Sequence, residues 1–155
     1  MKPFVILLAF VLCCSSPAEE QSAPCHLKVS WDQISPVGSG PFNIEYHSTA
    51  SLAFSVSNAI EACGEAPLNI YWFVDFDPAS DSIPDASGPD FVLPGCHEKL
   101  AGAYPKTVVV EALATQGKLI LSPDHPDSPV AANGDPVQHL VWAVVVSEAS
   151  TPDCD

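Results

Sequence analysis

The chain has 155 residues and a formal net charge of −14, from 19 acidic residues against five lysines and no arginine. That balance excludes nucleic acid as a partner, because neutralising phosphates requires a cationic face, and it disfavours direct adhesion to anionic lipid headgroups. The length suits one domain of ordinary size, and an acidic surface brings solubility and attracts cations.

In chain order, residues 1–18 read as a signal peptide. After Lys2 comes the apolar run 4-FVILLAFVLCC-14, too short for an ordinary membrane-spanning helix. Two processing routes are open. Ser16 and Ala18 fit cleavage after Ala18, whereas 11-VLCC-14 resembles a bacterial lipobox with Cys13 in place of the usual small residue. The second route leaves Cys14 as a lipid-bearing first residue, and the tandem cysteines before a polar, proline-containing tail favour it. With Ser15 following, the lipobox resemblance implies an outer-membrane anchor, so the expected location is extracytoplasmic, and contact with a membrane comes only through the lipid. Residues 19–24 read as a tether.

The domain is expected over 25–155. Its hydrophobic period is two: Leu27, Val29 and Trp31 alternate with polar residues, as do Phe42, Ile44 and Tyr46, and Leu52, Phe54 and Val56. Such alternation puts one face of a strand on a core and the other in water. The stretch 57–66 is a weak helical candidate of one or two turns. Three later runs, 68–76, 107–115 and 139–147, are apolar on both faces and read as central strands. The short run 118–122 reads as a strand hairpinned to its predecessor across Gln116–Gly117. Prolines concentrate in 78–94 and 123–136, which read as long loops. The expected fold is all-β: an antiparallel β-sandwich of seven or eight strands, with a small β-barrel as the alternative.

Four cysteines lie beyond the leader: Cys25, Cys63, Cys96 and Cys154. An even number in an exported domain implies two disulfides. Three pairings are open, and Cys25–Cys154 with Cys63–Cys96 is the one expected, since it joins the two ends of the domain. A zinc site is disfavoured, because no CxxC is present.

The run 70-IYWFVDFDPASDSIPDASGPDF-91 passes from a greasy strand into aspartates. By alternation Ile70, Trp72, Val74 and Phe76 share one face; Tyr71, Phe73, Asp75 and Asp77 share the other. Asp75, Asp77 and Asp81, with Asp85 and Asp90, are the candidate calcium ligands, since a hard cation wants several oxygens from one loop. The pattern departs from an EF-hand: Ala79 sits at an acidic position, the required glycine is missing, and Pro78 stiffens the turn. A solvated acidic loop accounts for the same residues without an ion. Asp75 and Asp77 lie about 7 Å apart by strand rise, which leaves a carboxylate- or metal-dependent hydrolase as the enzymatic alternative. His97 and Glu98 beside Cys96 form a metal or redox candidate that fails if Cys96 is in a disulfide. His139 reads as a side chain packed at the start of a strand. No HExxH, GxSxG or phosphate loop is present, so no cofactor is expected apart from possible calcium.

The pairing of 72-WFVDFD-77 with 139-HLVWAVVVSE-148 resembles the immunoglobulin-like and PKD-type sandwich domains of bacterial envelope lipoproteins. In those a core Trp lies on a strand ending in acidic residues, and a His-x-Val-x-Val-x-Val-Ser-Asp strand closes the sheet. Here Glu148 replaces the aspartate, and Leu140, Trp142, Val144 and Val146 form one alternating face. Cys63 stands only nine residues before Trp72, and no Tyr-x-Cys is present, which departs from antibody domains. The resemblance implies architecture and location. The expected function is a non-enzymatic envelope or secreted protein presenting loops to an unknown protein or glycan partner; a calcium-stabilised adhesion module is the alternative.

Overall fold

The computed structural model describes residues 26–77, 83–121, 130–131, 137–151 and 154. The leader with Cys14, the tether, Cys25 and Asp81 lie outside these residues. Among the described residues the chain is all-β, with eleven strands and one 3-10 turn of helix, and no helix is long and apolar enough to cross a membrane. In order, the strands are β1 (Lys28–Val29), β2 (Phe42–Tyr46), β3 (Ser51–Ser55), β4 (Ile60–Glu61), β5 (Asn69–Val74), β6 (Ala86–Ser87), β7 (Asp90–Pro94), β8 (Lys106–Thr115), β9 (Leu119–Ile120), β10 (Val130–Ala131) and β11 (Gln138–Glu148); the 3-10 helix spans Glu98–Leu100.

The main sheet has the order β2-β11-β8-β5-β6, and β3 pairs with β7 in a separate two-stranded layer. Two small pairs, β1–β4 and β9–β10, complete the set, and the sheets curl into a half-barrel. The antiparallel expectation holds for every strand pair but one: β2 runs parallel to β11, Phe42 opposite Val144 and Tyr46 opposite Glu148. Ahead of β2, Ser35 bridges to Ser55 of β3. The segment from Ser35 to Tyr46 therefore touches the β3–β7 layer first and the main sheet afterwards.

The two layers meet through aromatic side chains. Phe54 of β3 lies 6.2 Å from Trp72 of β5 and 5.4 Å from Trp142 of β11, ring centre to ring centre. Phe91 of β7 stacks on Trp72 at 5.5 Å, and Trp72 on Trp142 at 5.6 Å. Each indole N–H finds a backbone acceptor, Trp72 at Gly88 C=O (2.8 Å) and Trp142 at Pro36 C=O (3.1 Å). Both rings are thus buried without an orphaned donor. Leu140, Trp142, Val144 and Val146 are all buried, as their alternation requires.

Several expectations are corrected. The helical candidate at 57–66 forms a turn closed by Ala59 N–H on Val56 C=O, then β4. Ile60 is needed in the core beside β1, and a lone amphipathic turn is too short to hold a helix. The proline-rich 78–94 contains β6 and β7, because Phe91 and Leu93 alternate toward the core. Strand β9 pairs with β10, not with β8. Of the long apolar strands, β8 is buried on both faces at its end, Ala112 to Thr115, whereas β11 buries one face and leaves Val141 exposed on the other.

Candidate functional site

Val74 ends β5, and Asp75 adopts φ +49, a left-handed conformation that costs an aspartate less than most residues. Its N–H still reaches Val109 C=O at 2.6 Å, but the alternation is lost after it. Phe76 consequently packs at a tilt against Phe73, ring centres 4.7 Å apart, and not beside Trp72 as expected. Asp75 and Asp77 are exposed. Among the described residues no three His, Cys, Asp or Glu side chains come together in a way that could hold a metal ion.

Asp85 and Asp90 each have a structural task. Beyond the Trp72–Ala86 pair the β5–β6 ladder stops, and the Asp85 carboxylate takes over. Its Oδ2 accepts the Val74 N–H at 2.7 Å and Lys99 Nζ at 3.2 Å, with His97 Nε2 3.6 Å from Oδ1. His97 Nδ1 accepts the Lys99 N–H at 3.3 Å, capping the 3-10 helix.

Asp90 Oδ1 accepts from Ser55 Oγ at 2.5 Å and Ser57 Oγ at 2.8 Å. These hydroxyls, Ser55 first, hold its carboxyl below the usual carboxylate range. A carboxyl depressed in the folded state adds stability above its unfolded pKa of about 3.9, lost as pH falls through the lower folded value. The stability gap between the native chain and Asp90→Asn is therefore expected to be full well above the unfolded pKa and to shrink as pH falls below it, read from urea midpoints. A gap that ignores pH in that window contradicts the assignment.

Cys96 is bonded to Cys154, Cα atoms 5.7 Å apart, and Cys63 is also disulfide-bonded. The expected pairings Cys25–Cys154 and Cys63–Cys96 are thereby corrected. Both chain segments converge at one end of the domain, where the 95–96 turn packs on the 47–50 turn through Gly95 N–H to Ala50 C=O, a proximity that spacing does not encode. With its thiol consumed, Cys96 supplies no thiolate, and the redox reading of His97 and Glu98 falls with it. His139, on β11, meets Glu111 of β8 at 2.5 Å on the outer face.

A concave, largely apolar site lies elsewhere among the described residues. Trp31, Ile34, Val37, Gly38, Ser39, Leu140 and Val141 line an apolar groove of about 280 Å³. Trp31 was expected in the core with Leu27 and Val29. Strand β1 stops at Val29, however, and a turn closed by Gln33 N–H on Ser30 C=O swings the indole out, 59% exposed. Val37 and Val141 are exposed beside it. The loop is held against β11 at Gly40, where φ is +102 and a Cβ would strike Ala143 C=O, so only glycine fits. The signal in the sequence was 35-SPVGSGP-41, a run that cannot continue a strand yet carries an apolar Val37. No lysine lines the groove. Asp32 follows Trp31, and Glu111 stands opposite Val141 in the ladder.

The chain matches no family model, no curated protein and no solved structure.

Proposed function

We propose that this chain is an exported, non-enzymatic binding domain of immunoglobulin-like sandwich type, anchored by lipid at Cys14 to the outer membrane of a cell envelope and presenting a contact surface to a protein or glycan partner. The observation that carries the binding reading is the Trp31 groove. Three large apolar side chains exposed together at a concave site mark an interaction surface better than scattered ones do. The sandwich reading is supported by the segment that leaves β3 at Ser35 and joins β11 in parallel at Phe42, which ties the two layers along one side. Export is supported by the disulfides, which persist in oxidising compartments.

The test uses the chain isolated from its own envelope. Thiol titration is expected to find no free thiol, and mass spectrometry an acylated Cys14 at the N-terminus. Free Cys63, Cys96 and Cys154 would remove export from the reading; an unmodified peptide starting at Glu19 would remove the anchor alone. Turnover in a hydrolase screen, abolished by Asp75→Asn and Asp77→Asn, would replace binding by catalysis. Melting curves in about 1 mM calcium and in excess chelator are expected to coincide, because an ion that binds only the native state raises its stability by mass action. A calcium-dependent rise would bring back the calcium-stabilised module.

A further inference from the structure

We infer that the groove receives an extended, lysine- or arginine-bearing polypeptide segment that adds as a strand to the edge of β11, with one apolar side chain seated against Trp31. This deepens the binding reading and rests on it. The first support is the register of β11. Ala143 N–H donates to Ser39 C=O at 2.7 Å, so the odd-numbered residues of this strand aim their backbone groups away from β8. Val109, opposite Ala143, agrees: its C=O also points away from β11, at Asp75 N–H. On the outward side β2 covers Val144 to Glu148, and Ser39 serves Ala143. Ahead of them, His139 and Val141 present N–H and C=O groups that meet no backbone partner on this side among the described residues. An edge of this kind is a template for a further strand, and it carries neither proline nor lysine in Gln138–Val141.

The second support is the groove's position. Leu140 and Val141 belong both to this edge and to the groove wall. A strand laid along the edge projects alternate side chains, so backbone bonds to His139 and Val141 coincide with one side chain entering beside Trp31, Ile34 and Val37. Main-chain bonds supply affinity and the pocket supplies selectivity in strand addition.

Charge selects the occupant. A second copy of this chain would bring another −14 to the edge, and Asp32, next to the groove-lining Trp31, would repel its acidic face. A cationic segment meets the opposite situation, attracted over the whole surface.

The probe is a fluorescein-labelled nonapeptide of alternating valine and lysine, titrated into the purified domain and followed by anisotropy. Tryptophan emission gives a second reading, because Trp72 and Trp142 are fully buried while Trp31 is exposed. Saturable binding with a blue shift is expected, weakened about tenfold or more by Trp31→Ala and severalfold between about 50 and 300 mM salt. Trp31 is mostly in water, so its removal leaves the fold intact. N-methylation of alternate peptide bonds in the probe is expected to abolish binding without altering the protein. Equal binding by the N-methylated peptide, by a valine–glutamate peptide or by the Trp31→Ala variant overturns the inference. So does a dimer in sedimentation that Trp31→Ala dissolves. No binding to any peptide, in a chain that is exported and catalytically silent, refutes strand addition but leaves the binding-domain reading standing. Cleavage of the probe would refute that reading instead.

Discussion

Replacing Trp72 by alanine is expected to destabilise the domain by about 3–5 kcal/mol, a large share of the roughly 5–15 kcal/mol available to a typical domain. The ring has no exposed surface and touches Phe91 and Trp142 in stacked geometry and Phe54 at an angle. Its removal opens a void between the two layers that Phe54 and Phe91 cannot both fill, since each is also held by its own β3–β7 pairing. The Gly88 carbonyl loses its indole donor as well. Trp72→Phe separates the two contributions: it keeps much of the packing and gives up the hydrogen bond, worth about 1 kcal/mol. Trp31→Ala is the matched control, expected within about 0.5 kcal/mol because the side chain is largely solvated. Urea midpoints with unchanged slopes provide the measurement. A loss below about 1 kcal/mol for Trp72→Ala would mean that the layers are not joined through this ring.

Removing the Cys96–Cys154 bond by a double alanine substitution is expected to cost about 4 kcal/mol. The sequence separation is 58 residues, and closing a loop of that size in the unfolded chain accounts for a penalty of this order on the chain-entropy view. The bond ties the chain beyond β11 to the 95–96 turn, which itself leans on the 47–50 turn through His47 N–H on Gly95 C=O and Gly95 N–H on Ala50 C=O. One covalent link therefore secures three segments at one end of the domain. The melting temperature should fall by roughly 10–20 °C. Peptide mapping of the native protein should recover Cys96 and Cys154 in one linked pair. Recovery of Cys63 linked to Cys96, or a fall below about 2 °C, would contradict the connection.

Much of the fold was legible because period-two alternation is local. Phe42–Tyr46 and Ser51–Ser55 fall where apolar residues recur at every second position, and Asn69–Val74, β8 and β11 fall in the runs that are apolar on both faces. Strands β6 and β7 were hidden by flanking prolines and glycines, which also punctuate loops; Phe91 and Leu93 show their alternation only once a partner layer exists to bury them. The groove was missed for the opposite reason. Trp31 continues the alternation of Leu27 and Val29, and nothing in residues 26–31 tells that the strand stops before it.

The amino-acid order alone settled the all-β class, the buried face of the last long strand (Leu140, Trp142, Val144 and Val146) and the acidic balance of the chain, since each depends on side-chain polarity at fixed short spacing. Tertiary contact decided the parallel β2–β11 pair, the Cys96–Cys154 bond, the exposure of Trp31 and the engagement of Asp85 by Val74, His97 and Lys99. Each of these joins residues well apart in sequence or depends on what stands opposite them. Their free energy comes from neighbours that only the folded chain brings within reach.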